Sequence, residues 1–148
     1  CEVLTAALRA VDVEARWLGD VERSTRVEYC LTEQSPYAIL AGDRKICGLA
    51  VRRYRTSWLV QGSMLVRPLL PVFLEVMPSP VGDEFRHRAI ALEQALGHPI
   101  CDDQLIQVIM DVWNHWRTGS SQWAVRSLDL SSSNDERRTA NCVSHHAV

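Results

Sequence analysis

Apolar positions along the chain follow two periods that alternate several times. Leu4, Leu8, Val11, Ala15 and Leu18 recur every three or four residues. That spacing predicts one amphipathic helix, ended near Gly19-Asp20. Residues 25–30 (TRVEYC) read as a short strand, Thr32 to Pro36 as a turn, and Tyr37 to Ala41 as a second strand. Gly42-Asp43 follows as a two-residue hairpin turn, with glycine supplying the positive φ such turns need. Two longer strands, about Arg44 to Tyr54 and Ser57 to Val66, meet through Arg55-Thr56. Each has an interior glycine, Gly48 and Gly62. Glycine there marks either a bulge needed for packing or a place where a ligand comes close.

The pattern then turns helical again. Pro68 suits the first turn of a short helix reaching Val76, and Pro78-Ser79-Pro80 reads as a loop. Phe85, Ala89, Leu92 and Leu96 predict a helix stopped at Gly97-His98-Pro99. Asp102 or Asp103 is expected to cap a last helix with the stripe Leu105, Ile109, Val112 and Trp116. From Thr118 onward the chain is Ser-rich and aperiodic. The expected architecture is α+β, an antiparallel or mixed sheet flanked by helices over residues 1–117, with residues 118–148 a disordered tail.

At 148 residues and 47% hydrophobic, the chain can bury a core of its own, which excludes a wholly disordered protein. A net charge of -2 gives no general attraction to nucleic acid or to an acidic membrane surface. No apolar run approaches the roughly 20 residues of a membrane span. Five cysteines, an odd number with no CxxC pair, argue against a disulfide framework or zinc site. They favour a reducing, cytoplasmic setting. Cys142, His145 and His146 lack a fourth ligand, so no metal is expected. The chain begins without Met and enters a helical pattern at once, which leads us to expect a further N-terminal portion. Of 16 basic residues, 15 are Arg and one, Lys45, is Lys. Ammonium chemistry therefore has one home in this chain.

Lys45 lies in the strongest local feature, Gly42-Asp43-Arg44-Lys45-Ile46-Cys47-Gly48-Leu49-Ala50-Val51-Arg52-Arg53. Such a strand can present a lysine to an anion or carbonyl while Gly48 lets a chain pass. It reads equally as an edge strand protected by charge. Strict alternation sets Lys45 and Cys47 on the face opposite Gly48 and Ala50, so a shared site would require a bulge that the sequence does not reveal. Cys30, at a strand end one hairpin away, is the candidate nucleophile. A thiolate needs its pKa lowered from about 8.5, and Lys45 is the available cation. The alternative is a buried, inert cysteine, which also covers Cys47 and Cys101. Arg52 and Arg53 suit a phosphate, an acidic protein or simply solvent.

Residues 37–66 resemble the biotin/lipoate A/B protein ligase family, in the strand Gly42-Asp43-Arg44-Lys45-Ile46-Cys47-Gly48-Leu49-Ala50 and the later Gln61-Gly62-Ser63-Met64-Leu65-Val66. Ala91-Leu92-Glu93-Gln94-Ala95-Leu96-Gly97 resembles the segment that follows in that family. The resemblance spans about residues 3–117 and implies the C-terminal portion of a class II synthetase-like catalytic domain. Lys45 matches the family's lysine at the acyl carbonyl. Gly48 and Ala50 match small residues beside the acyl chain, and Gly62 is grouped with them. Cys30, in the run Cys30-Leu31-Thr32-Glu33-Gln34-Ser35-Pro36-Tyr37, matches the nucleophile of the cysteine-dependent octanoyltransferase branch. Val51 and Gln61 stand where the family usually has Gln and His, and its Arg-Arg-x-x-Gly-Gly segment is not in this sequence.

The implied activity is transfer of an octanoyl or lipoyl group from acyl carrier protein, through a Cys30 thioester, to a lysine of a lipoyl carrier domain. That carrier is the glycine cleavage H protein or a dehydrogenase E2. No cofactor is implied on this route. The runner-up is an ATP-dependent lipoate–protein ligase acting through an acyl-AMP. The non-enzyme alternative is a carrier-binding module that kept the fold and lost catalysis.

Overall fold

The structure is a computed structural model that describes residues 1–19, 32–33 and 35–119. The expected strand at 25–30, Cys30 within it, and residues 120–148 of the expected tail lie outside the described residues. Among the described residues the order is α1 (Glu2–Ala10), β1 (Ala15–Trp17), β2 (Ala38–Ala41), β3 (Arg44–Arg53), β4 (Trp58–Met64), α2 (Pro71–Glu75), α3 (Ser79–Arg88), α4 (Leu92–Leu96) and α5 (Asp102–Arg117). The strands form one antiparallel sheet in the order β1-β2-β3-β4. The α+β expectation holds.

The opening helix is shorter than its spacing predicts. It stops at Ala10, and Asp12 takes a positive φ of 63°. Beyond it, Val13 and Ala15 are buried while Glu14 and Arg16 are exposed, a period of two that feeds β1. The 3-4 spacing and the alternation coincide at Ala15, which is why the helix reading ran on to Gly19. The turn at Gly42-Asp43 forms as expected, with Gly42 at φ +59°.

Three further expectations are corrected. Ser79-Pro80 do not sit in a loop but open α3, where a proline loses no helical hydrogen bond. The helix expected over 85–96 breaks at Ala89, because Ala89-Ile90-Ala91 runs extended beside the start of β3. Ala89 bridges Lys45 in parallel, and the Ile90 N–H donates to the Lys45 carbonyl at 2.9 Å. A β3 edge that β4 has already left is thereby satisfied. The helix resumes as α4, whose Ala91 N–H is taken by Gln94 Oε1 at 3.0 Å, and ends at Gly97 with φ +77°. Finally, Cys101 rather than an aspartate occupies the N-cap of α5. Asp102 instead pairs with Arg67 at 2.7 Å. The buried stripe of α5 is Leu105, Val108 and Val112, with Ile109 packed beside it and Trp116 exposed.

One core holds these elements together. Ala7, Leu8 and Val11 from the first turns, Ile39 and Ala41 from β2, Ile46 and Cys47 from β3, Leu92 and the α5 stripe pack into a single cluster. Fully burying a side chain such as Leu8 or Ile39 stabilises by about 1.5–3 kcal/mol.

Candidate functional site

The sheet's register decides which residues meet, because directly opposed residues share a face. Ile39 faces Cys47, but Leu40 faces Lys45, so Ile46 is an extra residue on β3 and the ladder is bulged there. This bulge resets the alternation. Cys47 stays with Ile39 on the core face, whereas Lys45 moves to the face of Leu40. Ala38 faces Gly48, so Gly48 and, two residues on, Ala50 and Arg52 share that same face with Lys45. The reconciliation that the sequence required but could not reveal is Ile46.

The opposite placement applies to Gly62. It faces Leu49, which packs on the core, so Gly62 lies across the sheet from Lys45 and Gly48. A Cβ at Gly62 would collide with Leu49 Cδ2 and lie 2.6 Å from the Gly48 carbonyl oxygen. Close packing of the hairpin accounts for this glycine. Arg53 also falls on the Leu49 side. Both arginines are exposed, Arg52 with its guanidinium 5.3 Å from the Tyr54 ring and Arg53 5.4 Å from Trp58.

Lys45 is 3% exposed, and its Nζ donates to the Glu33 carbonyl oxygen at 2.6 Å. Burying an ammonium is costly unless hydrogen bonds replace its water, and this charge-assisted bond supplies one of them. Thr32, beside Glu33, is 1% exposed, and Leu40 is 0% exposed on Lys45's own face. The result is a buried cationic donor at the closed end of a sheet face that continues through Gly48, without a side chain, and Ala50, with a methyl. Ser63 faces Gly48 and Gln61 faces Ala50 on that same face, and both are exposed. The face is therefore closed at Lys45 and open towards Arg52. Such a surface can hold a carbonyl or phosphate oxygen at the lysine while an unbranched chain lies over the small residues.

The Glu33 carbonyl carried no sequence signal of its own, since it enters only through the loop path, whereas Ser63 lies in the 61–66 stretch and the register gives it its face. Cys30 lies outside the described residues. Cys47 is a buried apolar cysteine in the core, in line with the alternative reading. Among the described residues no three His, Cys, Asp or Glu side chains gather as a metal site. Nor is any helix there long and apolar enough to cross a membrane.

The described residues thus form an α+β domain with buried Lys45 on one face of its sheet, together with Gly48 and Ala50. The family model of the lipoyl protein ligase A/B catalytic domain matches residues 1–114, and the chain belongs to that family. Searches among curated proteins and among solved structures gave no match.

Proposed function

We propose that the protein is a cysteine-dependent acyltransferase of protein lipoylation, moving an octanoyl or lipoyl group from acyl carrier protein to a lipoyl carrier domain. The observation that carries this reading is Lys45, buried on the face of Gly48 and Ala50 with its ammonium held by the Glu33 carbonyl. Glu33 follows Cys30 by three residues, and an extended chain of three residues reaches at most roughly 11 Å.

In the first step the Cys30 thiolate attacks the carbonyl of the donor thioester. A thioester to Cys30 forms and the carrier's thiol leaves as thiolate, which takes up a proton. Lys45 donates a hydrogen bond to the carbonyl oxygen as negative charge develops there. In the second step the neutral ε-amine of the acceptor lysine attacks the Cys30 thioester. The amide forms, the amine loses a proton and the Cys30 thiolate is released. Gly48 and Ala50 give the acyl chain its room, and exposed Arg52 suits an acidic carrier. No cofactor takes part.

Transfer is measured with octanoyl-acyl carrier protein and a lipoyl carrier domain, with and without ATP. The expected result is ATP-independent transfer with ping-pong kinetics that Cys30→Ser abolishes. Transfer that requires ATP and survives Cys30→Ser identifies the acyl-AMP ligase route instead. Carrier binding without transfer under either condition identifies a non-catalytic binding module.

A further inference from the structure

Helix α5 is amphipathic twice over. Its inner stripe of Leu105, Val108 and Val112 enters the core. At 100° per residue, a second line of residues lies roughly 150° around the helix from that stripe. It runs Asp103, Ile106, Met110, Trp113 and Arg117, spaced 3, 4, 3 and 4, and all five are exposed. Ile106 is 57%, Met110 47% and Trp113 45% exposed, and the Trp113 ring stacks on Trp116 with centroids 5.6 Å apart. Three large apolar side chains in line on a solvent-facing helix are the pattern by which one helix recognises another.

The ends of this line say what fits it. Asp103 and Arg117 make no ion pair among the described residues. They stand symmetrically about Met110, seven residues to either side, and about 21 Å apart along the axis. An acidic first turn and a basic last turn is the order a helix dipole favours. Antiparallel pairing of two identical helices converts that order into complementary ends. Each Asp103 then meets the other copy's Arg117, and the apolar residues close between them. A two-fold axis requires this kind of self-complementary patch. We propose that the outer face of α5 is a homodimer surface, on which a second copy of this chain packs its own α5 antiparallel with the two Met110 side chains at the crossing.

The test is sedimentation equilibrium of the full 148-residue chain, with folding of every variant checked by circular dichroism. The residues changed are exposed, so the fold is expected to survive. The native chain should show a concentration-dependent dimer. Met110→Glu, which sets two carboxylates at the crossing, should leave only monomer. Asp103→Arg alone and Arg117→Asp alone should each raise the dimer dissociation constant by roughly tenfold or more, since each puts like charges at both ends. The double variant D103R/R117D should restore it. A monomer at every concentration overturns the proposal, and protection of Trp113 from quenching in that monomer would assign the face to another segment of the same chain. A dimer indifferent to Met110→Glu also overturns it, since the contact then lies elsewhere.

Discussion

A buried ammonium must replace its water with other acceptors, and Lys45 does so in part through a 2.6 Å bond to the Glu33 main chain. This main-chain acceptor helps hold the lysine in one orientation on its sheet face. Lys45→Met keeps the length and most of the volume of the side chain and removes the charge. The expected result is a folded protein whose kcat/KM for acyl transfer falls by about 100-fold or more, the usual loss when a donor to a developing oxyanion is removed. Steady-state kinetics beside a thermal melt separates that loss from unfolding. Gly62 acts in a different way. Its missing side chain makes room for Leu49 and for the Gly48 carbonyl across the hairpin. Gly62→Ala is expected to cost about 1–3 kcal/mol, as overpacking does, read as a lower urea midpoint.

At the scale of the element, the extra residue in β3 decides which side chains work together. Removing Ile46 would leave Lys45 opposite Leu40 and Cys47 opposite Ile39 in a regular ladder, so both faces would be kept while a fully buried core side chain would be lost. Deletion of Ile46 is expected to leave a folded protein that has lost about 2–5 kcal/mol of core burial, read as a lower urea midpoint, whereas Ile46→Val, which keeps the bulge, should cost about 0.5–1.5 kcal/mol. The hairpin and the inner stripe of α5 were legible in the sequence because Gly42 and the spacing of Leu105 and Val112 are local signals. The bulge was not, because Lys45-Ile46-Cys47 carries no glycine and reads as ordinary strand; only the partner register on β2 exposes it. The same holds for Ala89-Ile90-Ala91. Their residue types suit a helix, and a strand edge at Lys45, 44 residues before Ala89, draws them into extended form. The family resemblance at 42–50 identified Lys45, Gly48 and Ala50 as a set that simple alternation would have divided.

The described residues divide into a packed part and an exposed part. Beta-2 and the first residues of β3 are buried on both faces, while every residue from Ala50 to Ser63 is exposed. That two-stranded arm has no helix packed on it among the described residues, and isolated hairpins are marginal in water. Hydrogen exchange should show it: the amides of Leu59 and Val60 are expected to exchange through local opening, well before those of Ile39 and Leu40, which await global unfolding. The site straddles this boundary, with Lys45 anchored in the packed half and Gln61 and Arg52 on the arm. The central proposal is that acyl transfer runs through a thioester on Cys30, with Lys45 assisting it. Its most direct test is intact-mass and peptide analysis of the protein after incubation with octanoyl-acyl carrier protein alone, without ATP. The account predicts one octanoyl group on Cys30, released as the amide when a lipoyl carrier domain is added. An unmodified Cys30 together with undiminished transfer to the carrier would contradict it.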